Sequence, residues 1–192
     1  MSRILQLDSD GQPRGWCHWE DAITYHSKGL VSWSLGEIDT VAHGGNNRIT
    51  GVQSVIATSS IIAVKGAIGK KKRYKIPSLN NIELFRRDRC LCAYCGKVFP
   101  ESKLTREHVI PTSRGGEDTW TNCVAACGPC NQKKDSKMLE EVGMKLLYVP
   151  YVPSRAESLI LQNRNILFCQ MDYLLKFIPE SSRVHEMLKE FQ

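Results

Sequence analysis

Two Cys-x-x-Cys pairs, Cys92/Cys95 and Cys127/Cys130, constrain what this chain can fold into more than any other feature. Four thiolates are the ligand set of a closed tetrahedral zinc site, and a two-residue spacer lets both sulfurs of a pair face one ion. One structural zinc is therefore expected to join two points that are far apart in sequence. Cys90 and Cys123 lie close enough to the pairs to replace a ligand. Eight cysteines, four of them in knuckles, in a chain that shows no leader segment fit metal binding in a reducing compartment better than a disulfide framework. The expected location is the cytoplasm.

Residues 96 to 126 separate the two knuckles, a longer gap than the usual ribbon spacing of about 15–20. Something folded must therefore occupy it. Leu104 to Pro111 reads as a strand, Ser113 to Asp118 as a turn built on Gly115-Gly116, and Thr121 to Ala125 as a returning strand. After Cys130 the stretch NQKKDSKMLEEVGM reads as helix. The order is strand, turn, strand, helix, pinned at both ends by sulfur.

Taken together, RDRCLCAYCG, REHVIP, RGGEDTWTN and CGPCNQKK, spread over residues 80 to 140, resemble the HNH family of nucleases. The resemblance implies an α+β chain with a ββα-metal (His-Me finger) core. It places the family's His, Asn and third His or Asn at His108, Asn122 and Asn131, with Glu107 just before the first. Phosphodiester hydrolysis needs a water stripped of its proton, a cation on the phosphate and help for the departing oxygen. A neutral histidine accepts a proton near neutral pH, so His108 is the candidate general base. A carboxylate and an amide oxygen are hard ligands, which makes Glu107 and Asn131 the candidates for a catalytic Mg²⁺ or Mn²⁺. Asn131 also suits the N-cap of a helix, a role that can hold together with metal binding. The family implies that Asn122 braces the loop carrying the histidine, and that water attack leaves a 5′-phosphate and a 3′-hydroxyl. The expected function is a metal-dependent endonuclease acting on DNA. The alternative is a zinc-folded nucleic-acid-binding module without catalysis.

Charge supports a phosphate-rich partner only weakly: 26 Lys+Arg against 20 Asp+Glu give a net charge of +6. Its distribution says more. Lys70, Lys71, Lys72 and Arg73 form the densest basic run, directly before the nuclease-like segment, where they could follow a nucleic-acid backbone. Arg114, Lys133 and Lys134 are further candidate phosphate contacts. No apolar run approaches the roughly 20 residues of a membrane span, so no membrane partner is expected.

The chain divides on this reading into three parts. Residues 1–76 form a small α+β appendage, with a strand in SRILQLD, a helix over 18–28 and strands from Trp33 and within 51–66; Trp16 and Trp19 belong to its core. Residues 77–144 form the nuclease core, entered by a helix in LNNIELFRRDR. Residues 145–192 are expected to be helices that wrap that core, with a dimer contact as the second reading.

Overall fold

Period-two alternation decides the first part of the fold: in Ile4-Leu5-Gln6-Leu7, and again in Ile61-Ile62-Ala63-Val64, neighbouring apolar side chains must point to opposite faces of a sheet. Both faces therefore need cover. The computed structural model describes residues 3–66, 76–163, 165–180 and 182–185. Lys70, Lys71, Lys72 and Arg73 lie outside the described residues. Four strands, β1 (Ile4–Asp8), β2 (Pro13–Cys17), β3 (Val31–Asn46) and β4 (Gln53–Val64), form a sheet in the order β2-β1-β4-β3. β1 runs parallel to β4, and the other two pairings are antiparallel.

Each face of that sheet has its own helical cover. Ile4, Ile62 and Val64 pack with Ala22 of α1 (Trp19–Ser27) and with Trp19. Leu5, Leu7, Ile61 and Ala63 pack against Leu159 and Ile160 of α4 (Arg155–Gln162) and Leu174 of α5 (Phe168–Leu175). Trp16 joins this second face, its indole Nε1 donating to the Leu159 carbonyl at 3.0 Å. Gln170 is fully buried and ties the layer together, donating from Nε2 to the carbonyls of Arg3 and Ser60. The expected division of the chain is corrected here. The C-terminal helices belong to the same compact unit as the N-terminal sheet and cover its second apolar face. β3 runs on through the Gly44-Gly45 pair to Asn46, and the turn follows it.

The second compact unit, Ile76–Ser154, contains both Cys-x-x-Cys pairs. Asn80 caps α2 (Asn81–Arg87), its side chain accepting from the Glu83 N–H. A hairpin of β5 (Leu104–His108) and β6 (Cys123–Cys127) follows, with Leu104 opposite Cys127 and His108 opposite Cys123. Helix α3 (Gly128–Lys134) leaves β6 directly. It starts three residues earlier than the sequence reading placed it, because Pro129 is suited to a first helical turn. It also ends earlier, at Asp135, whose φ is +49°. Asn131 therefore lies inside the helix and does not cap it.

A buried ion pair binds these elements into one unit. Arg87 and Asp88 have side chains 1% and 0% exposed, and Arg87 Nε lies 2.8 Å from Asp88 Oδ1. The guanidinium also donates to the carbonyls of Trp120, Cys123 and Tyr151, and stacks between the rings of Trp120 and Tyr151. Asp88 Oδ2 in turn accepts from the Ala125 N–H at 2.7 Å. Helix α2 is thereby fastened to the middle of β6. Among the described residues, no helix is long and apolar enough to cross a membrane.

Candidate active site and metal centre

The sulfur atoms of Cys92, Cys95, Cys127 and Cys130 all lie within 4.8 Å of one another. The first pair sits in a knuckle closed by the Leu91–Val98 bridge and tied to β6 by the Ala93 N–H on the Ala125 carbonyl. The second pair spans the junction of β6 and α3. A zinc–sulfur bond of about 2.3 Å sets a tetrahedral edge of about 3.8 Å, and Cys95 and Cys127 stand 4.0 Å apart. Burial pushes the Cys92, Cys95 and Cys130 thiols up, but at Cys92 the N–H groups of Cys127, Cys95 and Tyr94 outweigh it and bring the thiol to about 7. That is how backbone donors prepare a thiolate for metal. The four residues fit a structural zinc. Neither rival ligand joins them: Cys90 packs against the Leu84–Trp120 core, and Cys123 faces another cluster.

Strand β5 carries two polar networks on opposite faces. Thr105 and Glu107 meet α3, where Asn131 Nδ2 donates to Thr105 Oγ1 at 2.9 Å and Lys134 Nζ donates to Glu107 Oε1 at 2.7 Å. Arg106 and His108 turn the other way, and both reach Asp118. At the end of the strand the faces converge on one cleft of about 590 Å³, lined among others by Glu107, His108, Asn131 and Thr112. With Nδ2 committed to Thr105, Asn131 presents Oδ1 as its free donor atom. Among the described residues nothing bonds Glu107 Oε2. A hard cation is therefore offered two oxygens of suitable type on one cleft wall.

The loop from β5 to β6 is held from inside. Asn122 Oδ1 accepts from the Ile110 N–H at 2.9 Å, while its Nδ2 donates to the carbonyls of Ile110 and Glu117. The clamp closes only because residue 116 is glycine: a Cβ there would meet the Ile110 carbonyl oxygen at 1.8 Å and Asn122 Nδ2 at 2.9 Å. The clamp sets where Asp118 stands. Asp118 Oδ1 lies 3.0 Å from His108 Nε2 and accepts from the Cys123 thiol at 3.3 Å, while Oδ2 pairs with Arg106. Arg106 holds the Asp118 carboxyl below the usual carboxylate range. Burial, with Asp118 adding to it, pushes the Cys123 thiol up to about 12, so it stays a donor.

Residues 92–147 match the HNH endonuclease family. That stretch is an HNH endonuclease domain. Over 50 residues, 26% of its length, the chain is 40% identical to the CRISPR-associated endonuclease Cas9 of Corynebacterium diphtheriae, of which this covers 5%. Over 73 residues, 34% of its length, it is 37% identical to the type IV methyl-directed restriction enzyme EcoKMcrA of Escherichia coli K12, of which this covers 26%. The chain thus spans a small part of either relative.

The HNH domain disposes of the basic candidates in three ways. Lys133 is exposed on α3. Arg114 is half-exposed and paired with Glu141 at 3.0 Å. Lys134 is corrected: its side chain is 0% exposed and its ammonium is bound to Glu107, so it is not available to a phosphate. The physical reason is helical phase. With α3 starting at Gly128, Asn131 and Lys134 are one turn apart and share the side that packs on β5.

Asp118 and Arg106 were not among the residues singled out from the sequence. The signal was present in the strand alternation, which puts Arg106 on the His108 face, with an acid waiting in the turn that the glycines bring back.

Proposed function

We propose that the HNH domain hydrolyses phosphodiester bonds in DNA, with His108 as general base and Glu107 and Asn131 as ligands of one divalent cation, Mg²⁺ or Mn²⁺. The observation that carries this reading is the convergence of Glu107, His108 and Asn131 on a single cleft beside a four-cysteine cluster. In this reading the β5–β6–α3 segment is the ββα-metal core and zinc is its staple.

His108 takes the proton from the attacking water at its free ring nitrogen. Glu107 and Asn131 would hold a divalent cation, which would supply charge stabilisation to the phosphate and the departing oxygen. Asn122 acts through the backbone, since the Ile110 peptide it grips is two residues beyond the base. Lys133, Arg114 and the Lys70–Arg73 tract add positive charge for the flanking phosphates. The name of each relative, an endonuclease and a restriction enzyme, supports DNA as the substrate.

The test is nicking of supercoiled plasmid with Mg²⁺ or Mn²⁺ by the zinc-loaded chain and by His108→Ala. Loss of nicking in the variant, with zinc content and circular dichroism retained, supports the assignment. Equal nicking by both proteins refutes the base, and binding without any nicking favours the non-catalytic module.

A further inference from the structure

The His108 ring has an unusual neighbour for a base at the end of a strand: a carboxylate aimed by three separate groups. Arg106 holds Oδ2 of Asp118, and Arg106 is itself fixed by Asn81 at the start of α2, through a 3.0 Å bond from Nε. The Cys123 thiol donates to Oδ1. The Asn122–Glu117 bond sets the backbone one residue before. A lone exposed His–Asp contact contributes little, because two mobile side chains must be ordered to make it. Here the acid is already ordered. Arg106 on the same carboxylate, and a thiol that burial keeps protonated, favour a hydrogen-bond relay over a cation among His108, Asp118 and Cys123.

We propose that Asp118 is a positioning residue for His108: it accepts the Nε2–H, fixes the neutral ring in that tautomer, and leaves Nδ1 as the proton acceptor. The inference rests on the reading of His108 as base. A neutral imidazole has one donor nitrogen and one acceptor nitrogen, and which is which follows from the bond the other makes. An acid that captures Nε2–H therefore decides the side from which the ring can take a proton. Arg106 adds a consequence. In Asp118→Asn the guanidinium, a donor only, retains the amide oxygen and turns the amide NH₂ toward His108. That NH₂ donates to Nε2, which forces the proton onto Nδ1 and closes the acceptor. Asp118→Asn is therefore more damaging than Asp118→Ala, which leaves both tautomers accessible. A role limited to holding the turn would give the reverse order.

The experiment uses the full zinc-loaded chain labelled with ¹⁵N-histidine, at a pH where His108 is neutral, with long-range ¹H–¹⁵N correlation to read the His108 tautomer. Wild type is expected in the Nε2–H form, Asp118→Asn in the Nδ1–H form, and Asp118→Ala as a mixture. Plasmid nicking is expected to fall in kcat with KM held, by roughly tenfold to a hundredfold for Asp118→Asn and by less for Asp118→Ala. An Nδ1–H wild type, or the same tautomer in wild type and Asp118→Asn, overturns the proposal whatever the activity. The expected tautomers in a chain whose nicking does not depend on His108 would instead overturn the base assignment and with it this use of Asp118.

Discussion

Replacing Lys134 by methionine keeps the length and apolar stem of the side chain and removes its charge, which isolates the ion pair under the cleft. In the native unit the Lys134 side chain is 0% exposed, the Glu107 side chain is 9% exposed, and the two are 2.7 Å apart. The methionine variant leaves a nearly buried carboxylate without its cation. Breaking a buried pair from one side costs about 3–5 kcal/mol, against about 5–15 kcal/mol of stability for a whole domain. At a tenfold change per 1.4 kcal/mol, the opening equilibrium of β5 and β6 should rise by about two to three and a half orders of magnitude. Native-state hydrogen exchange at the β5 and β6 amides reads this unit separately from the sheet-bearing one. Two companion measurements locate the cause. Lys134→Met combined with Glu107→Gln removes the stranded charge and should recover a large part of the loss, visible as a coupling term in the double-mutant cycle. Added Mg²⁺ should stabilise Lys134→Met more than wild type, since Glu107 then lacks its internal cation; saturation at a hundredfold excess over Kd is worth about 2.7 kcal/mol. If Lys134→Met without divalent ion stays within about 1 kcal/mol of wild type, the ammonium is not what holds Glu107, and the reasoning fails.

Cys127→Ser should abolish stoichiometric zinc, measured by atomic emission, and with it the protected β5–β6 amides, because binding energy at such a site is folding energy. Gly116→Ala should open the Asn122 clamp, since the new Cβ would stand 1.8 Å from the Ile110 oxygen; nicking should fall sharply while zinc content is retained. Arg87→Met strands Asp88 and three carbonyls, and guanidinium unfolding should show a loss of about 3–5 kcal/mol. Alkaline pH should weaken the HNH domain through Cys123, whose thiol burial pushes up to about 12. The folded state keeps a proton that the unfolded chain gives up, so this contribution is complete below the ordinary thiol range near 9 and is lost as pH rises toward 12. The slope is at most about 1.4 kcal/mol per pH unit, and Cys123→Ala should flatten it in unfolding curves between pH 8 and 11.

The parts of this fold that were legible in the sequence are those fixed by local chemistry. The Cys-x-x-Cys spacing, the Gly115-Gly116 turn and the alternation around Glu107 each depend on a few adjacent residues. Arg87 shows where legibility ends. In FRRDR it looks like one more surface cation, and only the arrival of Trp120, Cys123 and Tyr151 carbonyls makes it the node of a core. Lys134 looks like a surface cation in NQKKDSK, and only its place one turn after Asn131, on the helix side that packs on β5, buries it. The C-terminal helices illustrate a third limit: their apolar periodicity announces that they must cover something, and the choice between two apolar surfaces is made by the open face of the sheet.

Strand register links the four-cysteine cluster to the proposed catalytic face. Side chains alternate along β5, so a one-residue slip against β6 would exchange the two networks. Thr105 and Glu107 would then face the Asp118 turn, and Arg106 and His108 would face α3. The Val124-Ala125-Ala126 side chains of β6 do little to oppose such a slip, since all three are buried and apolar. Cys127 does oppose it. It is paired with Leu104 at one end of the hairpin, stands at the N-cap of α3, and shares the sulfur cluster with a knuckle bonded to Ala125. A metal bound there would therefore act on catalysis through register: it fixes which of two adjacent residues, Glu107 or His108, meets the helix and which meets the acid.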